Sequence, residues 1–366
     1  MKIGIDCRLW QETGVGRYIR NLVNQLQRID QKNEYVLFVI SKDYEYVKSK
    51  ITNPKWTLIE ADVRWHSVEE QIKMPIILKR EDLDLVHFPY ISVPLFYNRP
   101  YIVTIHDLIQ NHYASGRAST LPFFFYYLKK MGYQKVLKNA ISKAKQIIVP
   151  LVSVKSDLIN TLRVSGDKIV VTPEGFDPNI KSGKVSEYVQ EASANPYFLY
   201  VGNAYPHKNL ERLIDGYNRA KSKVKLFLVI KKDYFYKRLE KKRTSDIIFL
   251  HDVSDADLFH LYSHAVGCVS ASLMEGFGLF PLEALGAGGI PVVSDISAFR
   301  EVCGDLAIYF DPTNEKDIAE KLIKIAKLKE SEREEIRKKA KEWIKKFSWE
   351  KMARETMKVY ESCASL

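Results

Sequence analysis

Short, unbroken apolar runs rich in β-branched residues recur along this chain, separated by helical patterns, and they come in two series. The first holds "KIGID" (2–6), "EYVLFVI" (34–40), "DLVHF" (84–88), "YIVTI" (101–105), "QIIVP" (146–150) and "KIVVTP" (168–173). After the polar, aperiodic stretch 181–196 the pattern restarts with "YFLYVG" (197–202), "KLFLVI" (225–230), "IIFLH" (247–251), "AVGCVSAS" (265–272), "IPVVSD" (290–295) and "AIYF" (307–310). A strand that is apolar on both faces belongs in a parallel sheet with helices on each side. Two consecutive doubly wound α/β units follow, one ending near residue 180, a linker over 181–196, and a second over 197–347. A chain of 366 residues is also too long for one core. From about residue 314 the tail reads as a solvated amphipathic helix pair, followed by "SWEKMARETMKVYES", a last helix with Ser348 as N-cap and Glu350 in the first turn.

Composition excludes several classes. No apolar run reaches membrane-spanning length, and "MKIGIDCRLW" is not a signal peptide, so the expected location is cytoplasmic. Cys7, Cys268, Cys303 and Cys363 are far apart and read as free thiols, not a metal site or a disulfide framework. The net charge of +11 is unevenly placed: no Asp or Glu occurs from Leu108 to Ser156, while Arg117 and a series of lysines flank the aromatic cluster "LPFFFYYLKKMGY". Two readings stand for 117–145: a helix with an aromatic core face and a solvated lysine face, or contact with an anionic membrane surface at its inner face. A nucleic-acid partner is not expected, since no recognition motif accompanies the charge.

"MEGFGLFPLEALGAGGIPVVSD" places Glu275 and Glu283 eight positions apart. Two glycines and Pro281 prevent one helix from carrying both. The strand is expected to end at Glu275 and a helix to begin with Pro281 at N1, making Phe280 the N-cap and Glu283 N3. Phe280 cannot complete a capping box, which leaves Glu283 for a ligand. The amides of Gly278, Leu279 and Phe280 at the helix mouth favour an anion such as phosphate.

In "YVGNAYPHKNLERLIDGY" a helix is expected after Asn209 as N-cap, with Lys208 just before it. A cation is unfavourable at a positive helix end unless an anion joins it; a lysine–phosphate contact at about 4 Å is worth roughly 4 kcal/mol gross at an effective dielectric of about 20. "DCRLWQETGVGRYIRNL" runs from strand to helix through Gly14 and Gly16, without a full dinucleotide fingerprint; the glycines let a second substrate approach the backbone. "YIVTIHDLIQ" puts His106 and Asp107 at a strand's carboxyl end.

These motifs together resemble the retaining glycosyltransferases of family four, on the GT-B fold. "EGFGLFPLEAL" is similar to that family's E-x(7)-E element, "VGNAYPHKNLERLI" to its phosphate-binding element, "TIHDL" to its histidine element and "VVTPEGFDP" to the end of its first domain. "SDISAFREVCGDLAIYFDP" and "FSWEKMARETMKVYE" continue the likeness, so that it covers nearly the whole chain. The resemblance implies two Rossmann-like domains facing across a cleft, with the closing helix 348–366 returning to the first. It implies that Glu275 holds donor-sugar hydroxyls, that Glu283 binds the ribose, and that Lys208 and the amides after Gly278 hold the diphosphate. Gly276, Phe277, Gly278, Leu279 and Phe280 join Asn203 and His207 around the nucleotide sugar. Gly14 and Gly16 leave room for the diphosphate, and His106 meets the transferred sugar. The catalytic set is then His106, Glu275 and Lys208, with leaving-group stabilisation as the main term, no metal and no cofactor beyond the donor substrate. Asn203 and His207 stand where many members carry Arg or Ser and Arg, and Leu151 where a serine is usual.

The expected activity is transfer of a hexose from a nucleotide-diphosphate sugar to a glycan or lipid-linked acceptor in cell-surface polysaccharide or glycolipid synthesis. Mannose from GDP-mannose is the expected donor, on the likeness of residues 6–22 to mannosyl-transferring members. The alternatives are a UDP-sugar donor carrying glucose, GlcNAc or galactose, or a non-catalytic nucleotide-sugar-binding partner subunit. A glycosidase pair of carboxylates would leave the poised lysine unexplained.

Overall fold

A computed structural model describes residues 1–113, 123–176 and 183–364. Arg117 and the other residues of the basic stretch before 123, and residues 181 and 182 of the expected linker, lie outside the described residues. Two compact units emerge: one holds residues 1–108, 123–175 and 349–364, the other residues 109–113, Phe176 and 183–348.

The first unit contains β1 (Lys2–Asp6), β2 (Glu34–Val39), β3 (Trp56–Glu60), β4 (Leu85–Phe88), β5 (Tyr101–Thr104), β6 (Ile147–Val149) and β7 (Ile169–Val171). They form one sheet in the order β3-β2-β1-β4-β5-β6-β7, parallel throughout. The second contains β8 (Tyr197–Gly202), β9 (Lys225–Ile230), β10 (Ile247–Leu250), β11 (Gly267–Ser270), β12 (Pro291–Ser294) and β13 (Ile308–Phe310), in the order β10-β9-β8-β11-β12-β13, again parallel. Central strands are buried on both faces, as their unbroken apolar runs require: Ile3, Ile5, Val103, Leu199, Phe227 and Val292 have no exposed surface.

Every apolar run singled out in the sequence is a strand, and β3 is one more. "WTLIE" mixes polar and apolar residues: it is an edge strand with one neighbour, and only Trp56 of its five residues is buried. The stretch 183–196 is more than a linker. Ser186 caps a helix over Glu187–Ala192, and Val189 packs into the second unit's core beside Tyr197 and Leu261. The closing helix Trp349–Ala364 lies in the first unit, against the helix Gly14–Ile29, and Tyr360 shares a hydrogen bond of 2.8 Å with His87 Nδ1.

In each sheet the strand order reverses once, between β1 and β4 and between β8 and β11. The loops leaving the carboxyl ends of such a pair diverge and leave a crevice, the usual ligand position in open α/β sheets.

Candidate active site

In the second unit the two loops at the reversal point are the two that carry the chemistry. After β8 the chain runs through Gly202 and Asn203 to a 3-10 turn, Pro206–Lys208, and then into the helix Leu210–Ala220. After β11 it passes Glu275 and enters the helix Leu279–Ala287. Lys208 Nζ donates to both carboxylate oxygens of Glu275, at 2.7 and 2.8 Å. The two loops are also tied through the backbone, Leu273 N donating to His207 O at 2.8 Å.

Asn209 fastens the arrangement in a way its sequence position did not suggest. Its backbone is left-handed and its side chain makes no cap; Nδ2 donates instead to Ala271 O at 3.0 Å and Pro312 O at 2.8 Å, joining three strand-end loops. Asn203 is used locally: its carbonyl accepts from Tyr200 Oη at 2.7 Å and its Oδ1 from Tyr205 N at 3.3 Å.

The helix mouth begins earlier than Pro281. Gly278 is the N-cap, left-handed at φ 96°, and Pro281 is the third helical residue. Proline is tolerated there because N–H groups of the first turn have no intrahelical partner. Phe280 is therefore helical and not a cap, and Glu283 sits in the second turn. A Cβ on Gly278 would fall 2.9 Å from the Phe299 ring, so glycine is required both by conformation and by space. The first turn carries no acidic side chain, which leaves the positive end uncompensated within the helix. Phe277 is buried edge-on against Phe347, and Phe280 packs near Tyr200 and Tyr262, so these two side chains hold the loop and are not themselves the polar contacts. Glu283 Oε2 accepts from Tyr262 Oη at 2.8 Å, a partner that orients the carboxylate and that sequence spacing could not reveal.

Charge at this site is nearly self-cancelling. Burial works against ionisation of Glu275, but the Lys208 charge and its hydrogen bonds, with Ser272 and His207 adding, hold the carboxyl below its ordinary range. His207 is pushed down to about 4 by burial, with the neighbouring Lys208 charge adding and Glu275 opposing. The histidine is thus neutral at physiological pH, and the lysine is the cation on this turn.

The residues carried by the first unit behave differently from one another. His106, just past β5, has both ring nitrogens engaged: Nε2 donates to Pro89 O at 2.9 Å and Nδ1 lies 3.0 Å from Glu174 Oε1. Burial pushes its pKa down, yet the Glu174 hydrogen bond and charge, with Pro89 and Asp107, raise it above the ordinary value. Both partners are acceptors, so together they favour the protonated ring, and Glu174 holds that ring in place. The signal for Glu174 is an acid just past a strand end in "VVTPEGFDP", 68 residues away. Gly16 serves the fold itself: a Cβ there would lie 2.6 Å from both Leu9 O and Trp10 O, whereas Gly14 has open space around it. The loop before them is pinned by Arg8, which is buried and bonded to Asp6, Glu70 and Val63 O. Leu151 is a buried N-cap without a side-chain bond.

Among the described residues no cluster of three or more His, Cys, Asp or Glu is placed to hold a metal ion, and no helix is long and apolar enough to cross a membrane. The four cysteines are buried and free.

Residues 13–180 match the family described as Glycosyltransferase Family 4, and residues 185–343 match Glycosyl transferases group 1. The chain belongs to the family 4 glycosyltransferases. O-antigen chain mannosyltransferase RfbU of Salmonella typhimurium is 25% identical to this glycosyltransferase over 317 residues, 83% of this chain and 84% of the relative. O-antigen chain mannosyltransferase B of Escherichia coli is 27% identical over 250 residues, 62% of this chain and 63% of the relative. Anabaena Alr3699/HepE, solved in complex with UDP-glucose, superposes with a TM-score of 0.77 at 14% identity, covering 99% of this chain and 100% of that one. Sucrose-phosphate synthase from Thermosynechococcus elongatus gives a TM-score of 0.77 at 16% identity, covering 99% and 98%. The family 4 glycosyltransferase described here thus has the GT-B architecture of two Rossmann-like domains.

Proposed function

We propose that this glycosyltransferase moves mannose from GDP-mannose to a glycan or lipid-linked acceptor in cell-surface polysaccharide synthesis, with retention at the anomeric carbon and without a metal ion. The observation that carries the reading is the convergence, at the β8/β11 reversal, of Lys208, Glu275 and the open helix mouth at residues 278–280. That convergence suits a diphosphate beside a sugar: the ammonium and amides take the phosphate oxygens, and Glu275 takes sugar hydroxyls. When the glycosidic bond breaks, negative charge gathers on the departing diphosphate, and donors already aimed at it lower the barrier without reorganising. The mannosyl assignment is supported by the two O-antigen mannosyltransferase relatives.

The test is a donor panel of GDP-mannose, UDP-glucose, UDP-GlcNAc, UDP-galactose and ADP-glucose, read by calorimetry, with the anomeric coupling of the product read by NMR and a chelator control. Saturable binding of GDP-mannose above the others, an α-linked product and chelator-insensitive turnover are expected. Selective binding of a UDP-sugar would replace the donor, a β-linked product the stereochemistry, and loss of activity to chelator the metal-free step.

A further inference from the structure

His106 stands at one end of a buried polar chain whose other end is the closing helix. His87 in β4, Thr104 in β5, Tyr18 on the helix Gly14–Ile29 and Tyr360 on the closing helix are each at most 1% exposed. Tyr360 Oη lies 2.8 Å from His87 Nδ1, His87 Nε2 lies 2.8 Å from Thr104 Oγ1, and Thr104 Oγ1 lies 3.3 Å from Tyr18 Oη. The Tyr18 ring then stands at 81° to the His106 ring, with centroids 4.9 Å apart. The sheet brings these groups together. His87 pairs with Ile102, two residues before Thr104, so His87 and Thr104 share one face of the sheet, the face reached by Tyr18 and Tyr360.

Burial, with the His106 charge adding, pushes His87 down to about 3, so its ring is neutral and donates at one nitrogen while accepting at the other. Whichever tautomer it takes, the hydroxyls of Tyr360, Thr104 and Tyr18 complete the chain. Stability does not explain such a chain, since apolar side chains of the same shape can be neutral or stabilising in its place. Fixed direction does, because a fully paired buried network makes its members rigid. What it orients is His106. Pro89 O and Glu174 set where the two ring nitrogens lie, but hydrogen bonds at the edge of a ring resist tilting of its plane only weakly. A second ring packed perpendicular to it opposes that tilt.

We propose that Tyr18 is a positioning residue that holds the plane of His106 for transfer, and that the closing helix holds Tyr18 in turn through Tyr360, His87 and Thr104. The role in transfer rests on the proposed activity, with His106 meeting the sugar. The mechanical link does not, and the two are read separately.

Histidine-selective ¹⁵N NMR of the full chain reads the link, with His106→Gln assigning the His106 ring signals among the eight histidines. In the wild type both His106 ring N–H groups are expected as protected downfield signals. They should be lost to exchange in Tyr18→Leu and shifted in Tyr18→Phe and Tyr360→Phe. Turnover, read as GDP released from GDP-mannose in water, should fall about 10- to 100-fold in Tyr18→Leu. Each phenylalanine variant, missing one hydrogen bond, should lose about 3- to 10-fold. The Kd for GDP should stay within about twofold, because Lys208 and residues 278–280 lie in the other unit. Val23→Ala, a core truncation in the same helix as Tyr18, should lower the melting temperature and leave both the His106 signals and turnover unchanged. Circular dichroism confirms folding, and the phenylalanine variants, which keep the ring, give the answer if Tyr18→Leu does not fold. Unprotected His106 signals in the wild type, unchanged signals in the folded variants, or an equal loss of turnover in Val23→Ala overturns the proposal. The expected signal changes with no GDP release from any form, wild type included, would support the link and refute the transfer reading.

Discussion

Replacing Glu275 with glutamine should tighten the binding of a bare nucleoside diphosphate while suppressing transfer. The carboxylate holds Lys208 at 2.7 and 2.8 Å, with the two side chains only 13% and 18% exposed. A phosphate arriving at the lysine meets a nearly neutral pair. Repulsion between Glu275 and a phosphate ~5 Å away, at an effective dielectric of ~20, is about 3 kcal/mol before screening. Allowing for partial exposure, about half survives, so Glu275→Gln should lower the Kd for GDP about 5- to 30-fold. Lys208→Gln should act in the opposite sense, raising Kd by about 10- to 100-fold through loss of a charged hydrogen bond. Isothermal titration of GDP against wild type, both single variants and the double variant forms a cycle that isolates their coupling. Transfer by Glu275→Gln should nonetheless fall by at least about 100-fold, because the acceptor of the sugar hydroxyls is changed. If Glu275→Gln weakens GDP binding as much as Lys208→Gln does, the carboxylate is not the lysine's internal counter-ion and the reasoning fails.

Two further predictions separate structural from functional residues in the first unit. Gly16→Ala should destabilise the chain by about 1–3 kcal/mol through the clash with two backbone carbonyls, and Gly14→Ala by no more than ~1 kcal/mol; urea unfolding compares them, and equal effects would contradict the assigned packing. The His106–Glu174 pair has a raised folded pKa, so its contribution is complete below the ordinary value of 6.5 and is lost as pH rises through the folded value. Glu174→Gln should therefore lower the melting temperature most near pH ~6.5 and progressively less above it, and a deficit that grows with rising pH would contradict the upward shift of His106.

The sheets were legible because parallel strands need apolar side chains on both faces, and that requirement leaves unbroken runs. β3 escaped because "WTLIE" interrupts its apolar residues with Thr57 and Glu60 and buries only Trp56, so it leaves no unbroken run. Lys208, Glu275 and Glu283 could be singled out because glycines, a proline and charges at strand ends are local signals. Their partnerships could not. The Lys208–Glu275 contact spans 67 residues and His106–Glu174 spans 68, so both depend on which strands are neighbours. The helix start was misplaced because Pro281 suits N1, while the left-handed Gly278, packed on Phe299, starts the helix earlier. Gly14 and Gly16 read alike in sequence, and only the loop folded back over the helix start distinguishes them.

The most direct measurement is a crystal structure of the full chain with GDP bound. The account predicts a terminal phosphate oxygen within ~3 Å of Lys208 Nζ, with further oxygens facing the amides of residues 278–280. A diphosphate bound elsewhere, with Lys208 still closed on Glu275 and the helix mouth empty, would contradict it.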